Sequence, residues 1–393
     1  WTVPADATSG VYIANFVRND ACEISPTVFV VRDETRGADI LFLTPDTTWH
    51  AYNIYGGRNM YTGPRADKVS YNRPFVNSSR DWVMNAVYPM IRWLEANGYD
   101  VSYTAGSDID QNAAELLNHS AFISVGHDEY WSGEQRANVE AARDAGVNLA
   151  FFSGNEVFWK TRWETSIDGN NTPYRTLVCY KETSTNSMSD PDPTTWTGTW
   201  RDPRFSPPKD GGRPENELTG TIFTVNAPRN DSIIVTDEYS ALRFWRNTEI
   251  ANLLTGEHAI FPAGTLGFEW DTDLDNGFRP RGLIRLSKTT VPVDNILVDY
   301  GNTYQPGIED HYLTMYRASS GALVFGAGTV QWSWGLDASS PLITVDTVDQ
   351  NMRQATVNLF ADMGAQPLTI QSGLVQTTAS TDSQAPLTTI SNP

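Results

Sequence analysis

The chain has 393 residues, 40% of them hydrophobic, which is enough to bury one large core or two ordinary ones. Its 47 acidic residues outnumber its 28 basic ones, giving a formal net charge of −19, and no stretch concentrates lysine and arginine, which argues against nucleic acid as a partner. No apolar run reaches the roughly 18 residues of a membrane-spanning helix, so we expect a soluble domain without a membrane partner.

The first half of the sequence alternates short apolar segments with amphipathic ones, the pattern of a parallel sheet covered by helices. Strands are predicted at residues 40–43, 101–103, 121–125 and 148–152. Helices are predicted between them at 81–97, 112–117 and 133–145, the first ended by Gly98 and the last begun by the N-cap Ser132. Because ligands bind beyond the carboxyl ends of parallel strands, the residues after Leu43, Val125 and Phe152 are the first places to search.

The composition changes near residue 188, where prolines interrupt a long polar stretch. Short strands are predicted after it at 221–225, 242–245, 265–270, 283–286 and 296–300, followed by a strand at 322–325 and a helix at 352–363 that should rejoin the first sheet. We therefore expect an α/β layered core (1–187), an inserted β-rich subdomain with a long Pro/Trp loop (188–320), a returning strand and helix (321–370) and a Ser/Thr/Pro-rich linker (371–393).

The ends and the cysteines of the chain bear on its localisation. The first residue is Trp1 rather than Met, so we expect a trimmed front from which any signal peptide is gone. Cys22 and Cys179 are too few for a disulfide framework or a zinc site, and their pairing is left open. The scarcity of cysteine and the linker-like end favour a secreted bacterial protein with further domains in the same polypeptide.

The segment Gly126-His127-Asp128-Glu129-Tyr130-Trp131 is the most informative stretch of the sequence, because it follows a predicted buried strand and precedes a capped helix. His127 and Glu129 are two residues apart, so on a continuing strand they project to the same side, where one could bind a ligand and the other tune it. A helix-capping loop with a hydrogen-bonded histidine is the alternative. The aromatic loop 49–57, with Gly56-Gly57, is a second and weaker candidate.

The common hydrolase motifs are absent from the sequence. It has no Gly-x-Ser-x-Gly elbow, no His-Glu-x-x-His helix and no phosphate-binding glycine loop. Cys179 lies in an apolar run, where cysteines are usually inert. Nucleophilic catalysis by a protein side chain is therefore disfavoured.

Four motifs carry a family resemblance: Gly10-Val11-Tyr12-Ile13-Ala14, Ala51-Tyr52-Asn53 with Gly56-Gly57, the 126–132 segment, and Phe152-Ser153-Gly154-Asn155-Glu156. Their order and separations, over nearly the whole chain, resemble the C-terminal region of the large (beta) subunit of N,N-dimethylformamidase. The resemblance implies a class I glutamine amidotransferase-like (flavodoxin-like) α/β sandwich. It also implies a mononuclear iron held by two tyrosinates and one glutamate.

Carried over by motif, the iron ligands would be Tyr12, Tyr52 and Glu129, and His127 would be the histidine next to them. Asn155 and Glu269 would face the open coordination side. Phenolates and carboxylate are hard, anionic oxygen donors, and three of them neutralise a trivalent ion, which suits ferric iron better than zinc or copper. Such an ion can polarise an amide carbonyl and activate water, while His127 or Glu269 moves the proton.

The sequence thus predicts an iron-dependent hydrolase that cleaves the C–N bond of a small linear amide. The identity of the amide and the formation of a homo-oligomer are left open. The alternative function is a non-catalytic module of a secreted multidomain protein. It would bind a polysaccharide or a surface polymer through exposed tryptophans, namely Trp196, Trp200, Trp332 or Trp334.

Overall fold

The computed structural model describes residues 2–17, 19–20, 24–76, 81–204 and 210–381, which together form a mixed α/β structure with several sheets. The strands, numbered along the chain, are β1 (Gly10–Val17), β2 (Ile24–Val31), β3 (Ile40–Thr44), β4 (Lys68–Ser70), β5 (Val101–Ala105), β6 (Ala121–His127), β7 (Tyr130–Ser132), β8 (Asn148–Gly154), β9 (Trp159–Glu164), β10 (Thr176–Val178), β11 (Ile222–Asp231), β12 (Ile234–Thr236), β13 (His258–Ile260), β14 (Leu266–Thr272), β15 (Ile284–Arg285), β16 (Thr289–Leu297), β17 (Tyr304–His311), β18 (Thr314–Arg317) and β19 (Leu323–Gly326).

The helices of the described residues are α1 (Asp46–Tyr52), α2 (Val87–Ala96), α3 (Gly106–Gln111), α4 (Ala113–Leu116), α5 (Gly133–Asp144), α6 (Asn216–Thr219) and α7 (Gln350–Asp362). Short 3-10 helices lie at Asp237–Tyr239, Arg243–Trp245, Glu249–Asn252 and Trp332–Gly335. Among the described residues, no helix combines the length and the apolar character that crossing a bilayer requires.

The main sheet has seven strands in the order β15-β18-β19-β8-β6-β3-β5. Strands β19, β8, β6, β3 and β5 are parallel. At the β19 edge, β18 pairs antiparallel with β19, and β15 pairs antiparallel with β18. The chain first runs from β3 to β5 on one side, and then crosses to β6 on the other side of β3. The gap between the carboxyl ends of β3 and β6 is therefore the switch point, where ligands bind in open α/β sheets.

Alternating side chains give the main sheet two apolar faces. Ile40 and Phe42 point to one face, where α2 and α7 pack, and Leu41 and Leu43 point to the other, where α3, α4 and α5 pack. This period of two is what a strand buried on both sides requires. Helix α5 begins at the predicted N-cap, since Ser132 Oγ accepts a hydrogen bond from the backbone N–H of Gln135 at 3.1 Å.

A second sheet, β14-β11-β16-β17, is antiparallel and comes from the second half of the chain. It lies against the carboxyl end of β8 so closely that a Cβ atom on Gly154 would come within 2.9 Å of the Glu269 carbonyl oxygen and 2.8 Å of the Val330 amide nitrogen. Only glycine fits at this position. A smaller sheet, β4-β10-β9-β7, and the hairpins β1-β2 and β12-β13 complete the architecture.

Three sequence predictions need correction. The helix predicted at 81–97 starts only at Val87, and residues 242–245 contain a 3-10 helix rather than a strand. Tryptophans 196, 200, 332 and 334 are at most 4% exposed, so they cannot form the binding platform expected for a carbohydrate-binding module. Their indole rings fill the interior of the molecule.

The end of the described chain packs onto the core. The backbone N–H of Gln371 donates to Asn97 Oδ1 at 2.9 Å, and Gln354 Nε2 on α7 donates to the Val375 carbonyl at 2.9 Å. Residues 382–393 of the expected linker lie outside the described residues, as does Cys22. Cys179 is a free, buried thiol.

Candidate active site

Two neighbouring parallel strands carry the first polar residues of the candidate site. His127 ends β6 and lies beside Gly154, the last residue of β8. Glu129 lies two residues after β6 and Asn155 directly follows β8, so both lie at the carboxyl edge of the main sheet. The backbone N–H of Glu129 donates to Thr48 Oγ1 at 3.0 Å, which ties the loop to α1 across the switch point.

Two phenols converge on the carboxylate of Glu129. The Tyr52 hydroxyl, at the end of α1, donates to Glu129 Oε2 at 3.0 Å, and the Tyr61 hydroxyl lies 2.7 Å from both carboxylate oxygens. The two phenol rings stack with centroids 4.2 Å apart. Behind them the Tyr130 hydroxyl donates to the Tyr61 hydroxyl at 2.5 Å. Four oxygen-bearing side chains thus meet at one point.

The loop after α1 places Tyr61 by means of one asparagine. Asn59 Oδ1 accepts hydrogen bonds from the backbone N–H groups of Tyr61 at 2.8 Å and Thr62 at 2.7 Å, while its Nδ2 donates to the Tyr52 carbonyl at 2.9 Å. This side chain joins the two tyrosine-bearing segments. Their phenols are therefore held close together by a buried residue and not only by contact with Glu129.

The environment of the phenols keeps them neutral. Burial, followed by the charge of Glu129, raises the pKa of both Tyr52 and Tyr61 well above the usual value near 10. The Lys181 ammonium lies 3.3 Å from the centre of the Tyr61 ring and 4.7 Å from that of Trp159, a cation–π arrangement. Burial lowers the pKa of Lys181 to about 8, although the nearby Glu129 charge opposes this.

His127 lies at the centre of a hydrogen-bonded group beside the phenols. Its Nδ1 is 2.7 Å from Asp81 Oδ1, while its Nε2 is 3.1 Å from Glu269 Oε2 and 3.5 Å from Glu129 Oε2. Asn155 Nδ2 donates to Glu269 Oε2 at 2.8 Å and lies 3.2 Å from His127 Nε2. Asp81 thus fixes the ring, and Nε2 faces the site.

Charge surrounds the buried imidazole of His127. Burial alone would lower its pKa, but the Glu269 charge and the contacts with Asp81 and Glu269 outweigh this and raise it well above 6.5. Burial in turn raises the pKa of the Glu129 carboxyl, against the opposing effect of His127 and Lys181. The site therefore holds buried acids and bases whose pKa values depend on the charges of their neighbours.

Tyr12 is the one residue of the predicted set that the structure does not connect with the others. It lies on β1 of the β1-β2 hairpin, where its hydroxyl donates to the Thr8 carbonyl at 3.0 Å and its ring stacks on Phe29 at 5.7 Å. Tyr52, Glu129, His127, Asn155 and Glu269 do come together. Tyr12 as a metal ligand stays a prediction.

A comparison with protein families matches residues 1–349 of the chain to the family described as N,N-dimethylformamidase beta subunit-like, C-terminal. The chain belongs to this family. The match covers every residue of the candidate active site, from Tyr52 to Glu269. The chain is thus a dimethylformamidase-like domain, as its four motifs predicted. None of the curated proteins compared with the chain matches it.

In this dimethylformamidase-like domain, sequence reasoning missed three side chains of the site: Tyr61, Asp81 and Lys181. Each lies in a segment without a recognisable motif, and each reaches the site from a different part of the chain. Tyr61 is the residue that the sequence could have revealed. The adjacent glycines Gly56-Gly57 indicate that the backbone of its loop packs closely against a neighbouring group. The sequence predicts Asp81 at the start of a helix, and it gives no prediction for Lys181, which follows the apolar run that contains Cys179.

Tyrosine oxygens distinguish this site from the usual metal centres. Among the described residues, no group of three or more His, Cys, Asp and Glu side chains is arranged to hold a metal ion. An ion at this point would therefore need phenolic oxygens. Tyr52 and Tyr61 offer two of them, and Glu129 adds a carboxylate within hydrogen-bond distance of both.

Proposed function

We propose that this domain hydrolyses the C–N bond of a small linear amide with the help of one ferric ion. The observation that carries the proposal is the convergence of two phenols on Glu129 beside His127, Glu269 and Asn155. This places hard oxygen donors next to groups that can move a proton. Membership of the dimethylformamidase-like family supports the same activity.

The side chains fit a hard trivalent ion. Tyr52, Tyr61 and Glu129 present only oxygen donors, and their anionic forms would balance the charge of Fe³⁺. The phenol protons now donated to Glu129 would leave as the ion enters, which suits a site where burial keeps the metal-free phenols neutral. When bound, the ion supplies a Lewis acid for the amide carbonyl and for a water molecule.

The remaining side chains suit proton transfer and orientation. Glu269 accepts a proton from the attacking water, and His127, held at Nδ1 by Asp81, carries a proton at Nε2 to the departing amine. Asn155 Oδ1 is buried and has no partner among the described residues, so it is available to accept a hydrogen bond from water or from the leaving nitrogen. No covalent enzyme intermediate is required.

We also propose that the main sheet is of the class I glutamine amidotransferase-like, or flavodoxin-like, type. Support comes from the five parallel strands, whose order by chain position is 2-1-3-4-5 with the candidate site at the switch point. Secretion and attachment to further domains of the same polypeptide stay predictions from the sequence.

Metal loading and turnover together test the function. Protein loaded with ferric iron should bind one equivalent, develop a phenolate-to-iron absorption band and release amine from some member of a panel of N-alkyl formamides and acetamides. His127→Gln should keep the iron and lose most of the turnover, since it keeps a polar side chain but cannot carry the proton. Stoichiometric iron without hydrolysis of any amide in the panel would overturn the proposal.

A further inference from the structure

Two buried carboxyl groups lie behind the candidate active site and share one hydroxyl group. Glu156 directly follows Asn155, and Asp271 lies on β14 two residues after Glu269; neither side chain is more than 1% exposed. The Thr221 Oγ1 atom lies 3.3 Å from Glu156 Oε1 and 3.1 Å from Asp271 Oδ2. None of these three residues has a role in the hydrolysis proposed above.

Counting hydrogen atoms shows that this arrangement needs one extra proton. A threonine hydroxyl has a single hydrogen and can donate to only one carboxyl group at a time. For both contacts to be hydrogen bonds, the other carboxyl must itself be protonated and donate to Thr221 Oγ1. Asp271 Oδ1 already accepts the backbone N–H of Asn155 at 2.8 Å, which favours its ionised form. Glu156 is therefore the proton-bearing partner.

The surrounding charges agree with that assignment. Burial, followed by the charge of Asp271, raises the pKa of Glu156 well above its usual value, although Ser153 opposes this by donating a hydrogen bond to its carboxyl group. The pKa of Asp271 is raised less, to about 7. Burial raises it, while the Asn155 amide lowers it.

Further groups act on the pair from the elements around it. The Asp128 charge raises the pKa of Glu156. For Asp271, the charge of Glu215 raises the pKa and that of Arg201 lowers it. The imidazole of His311 lies beside Gly328, next to Asp271, and is neutral near pH 7 because burial lowers its pKa to about 4.

The pair is connected to the active site through Asn155. This residue has a left-handed backbone conformation, with φ of 49°, which asparagine tolerates better than most residues but which needs support from its surroundings. The hydrogen bond from its N–H to Asp271 supplies that support. The side chain of Asn155 is then held with Nδ2 toward Glu269 and His127.

We propose that Glu156, Thr221 and Asp271 form a hydrogen-bonded chain that holds one proton and positions Asn155 in the active site. The positioning role rests on the proposed amide hydrolysis, whereas the proton itself does not. Asp271 and Thr221 are positioning residues, since neither contacts the substrate side of the site.

Infrared difference spectroscopy at neutral pH tests the proton without any turnover. Wild type minus Glu156→Gln should contain the C=O band of a protonated carboxyl group, because glutamine replaces the acid with a neutral donor of the same shape. The matched control is Glu164→Gln, whose carboxylate pairs with Lys68 and Arg162 and whose pKa is lowered against the effect of burial by those contacts; it should remove only ionised carboxylate bands. If the difference spectrum of Glu156→Gln contained only the bands of an ionised carboxylate, the proposal would be overturned.

Kinetics test the positioning role separately. Thr221→Val should lower kcat for amide hydrolysis by roughly 10- to 100-fold, as loss of a supporting hydrogen bond commonly does, with KM changed by less than about twofold. Thr221→Ser, which keeps the hydroxyl, should restore kcat. Wild-type kcat in Thr221→Val, or equal losses in both variants, would overturn this role. Because the infrared result needs no substrate, failure of amide hydrolysis and absence of the proton are distinguishable.

Discussion

Glu129 is the residue on which the candidate site depends most directly. It follows the central strand β6, its backbone is tied to α1 through Thr48, and its carboxylate receives the hydroxyls of Tyr52 and Tyr61. The family resemblance pairs Glu129 with Tyr12 and Tyr52 instead. The difference concerns a single phenol, and it can be tested residue by residue.

Phenylalanine substitutions separate the two ligand sets. Tyr52→Phe and Tyr61→Phe should each lower the iron bound after loading and weaken the phenolate-to-iron absorption, because each removes a ligand oxygen with little change in packing. Tyr12→Phe is the matched control and should bind iron like the wild type. Elemental analysis of the purified proteins measures the effect. Iron loss in Tyr12→Phe with retention in Tyr61→Phe would favour the set implied by the resemblance.

At the level of elements, α7 depends on an N-cap formed by Asp349, the residue that precedes its first turn. Asp349 accepts hydrogen bonds from the backbone N–H groups of Asn351 at 2.8 Å and Met352 at 3.0 Å. The helix then buries Phe360 against Phe152 on β8, with ring centroids 5.7 Å apart. The cap thus stabilises a helix that packs against β8, the strand that Asn155 directly follows.

Asp349→Ala should lower the free energy of unfolding by about 1 kcal/mol, the usual cost of losing an N-cap side chain. Asp349→Asn keeps an acceptor oxygen and should lose only a small part of that amount. Urea unfolding followed by circular dichroism measures both variants. Equal destabilisation by alanine and asparagine would show that the charge, and not the cap, is what matters.

Elements with a clear apolar period were predictable from the sequence. The strand predicted at 40–43 is observed as β3, and the helix at 133–145 as α5, since local patterning and the Ser132 cap agree with the tertiary packing. Where the predicted helix and strand were wrong, tertiary contacts override the local sequence pattern. Residues 81–86 leave the helical path where Asp81 reaches His127, and Trp245 is turned inward so that its Nε1 donates to the Leu286 carbonyl.

The candidate site was predictable only where strand ends carry its residues. His127, Glu129 and Asn155 follow the predicted strands β6 and β8, so their proximity follows from the parallel sheet. Tyr61 and Lys181 come from loops whose paths depend on single buried contacts, such as those of Asn59. No local pattern encodes such paths, and only the folded chain brings these residues to Glu129.

At the scale of the whole molecule, buried acids affect how stability depends on pH. Burial raises the pKa of Asp46 to about 6 and those of Glu115 and Asp128 to about 7. Burial lowers the pKa of three histidines, His50, His119 and His311. The effects of these three histidines end near pH 6.5, above which they are neutral in the unfolded chain as well.

The metal-free protein should therefore lose stability as the pH rises from about 6.5 to about 8. In this window the folded protein holds protons on its buried acids that the unfolded chain has already released, so the free energy of unfolding falls. Urea unfolding at a series of pH values measures the slope. Glu115→Gln should flatten it, and a slope that rises with pH would contradict the assignment of these acids.

The contact at Gly154 also limits how this domain can be recombined. Because the sheet that carries Glu269 rests directly on the end of β8, a chimaera with a crossover between residues 187 and 222 would pair halves shaped for different neighbours. His127 and Glu269, whose side chains are in contact, must then be inherited as a unit, together with Gly154, which lets the strand of Glu269 approach β8.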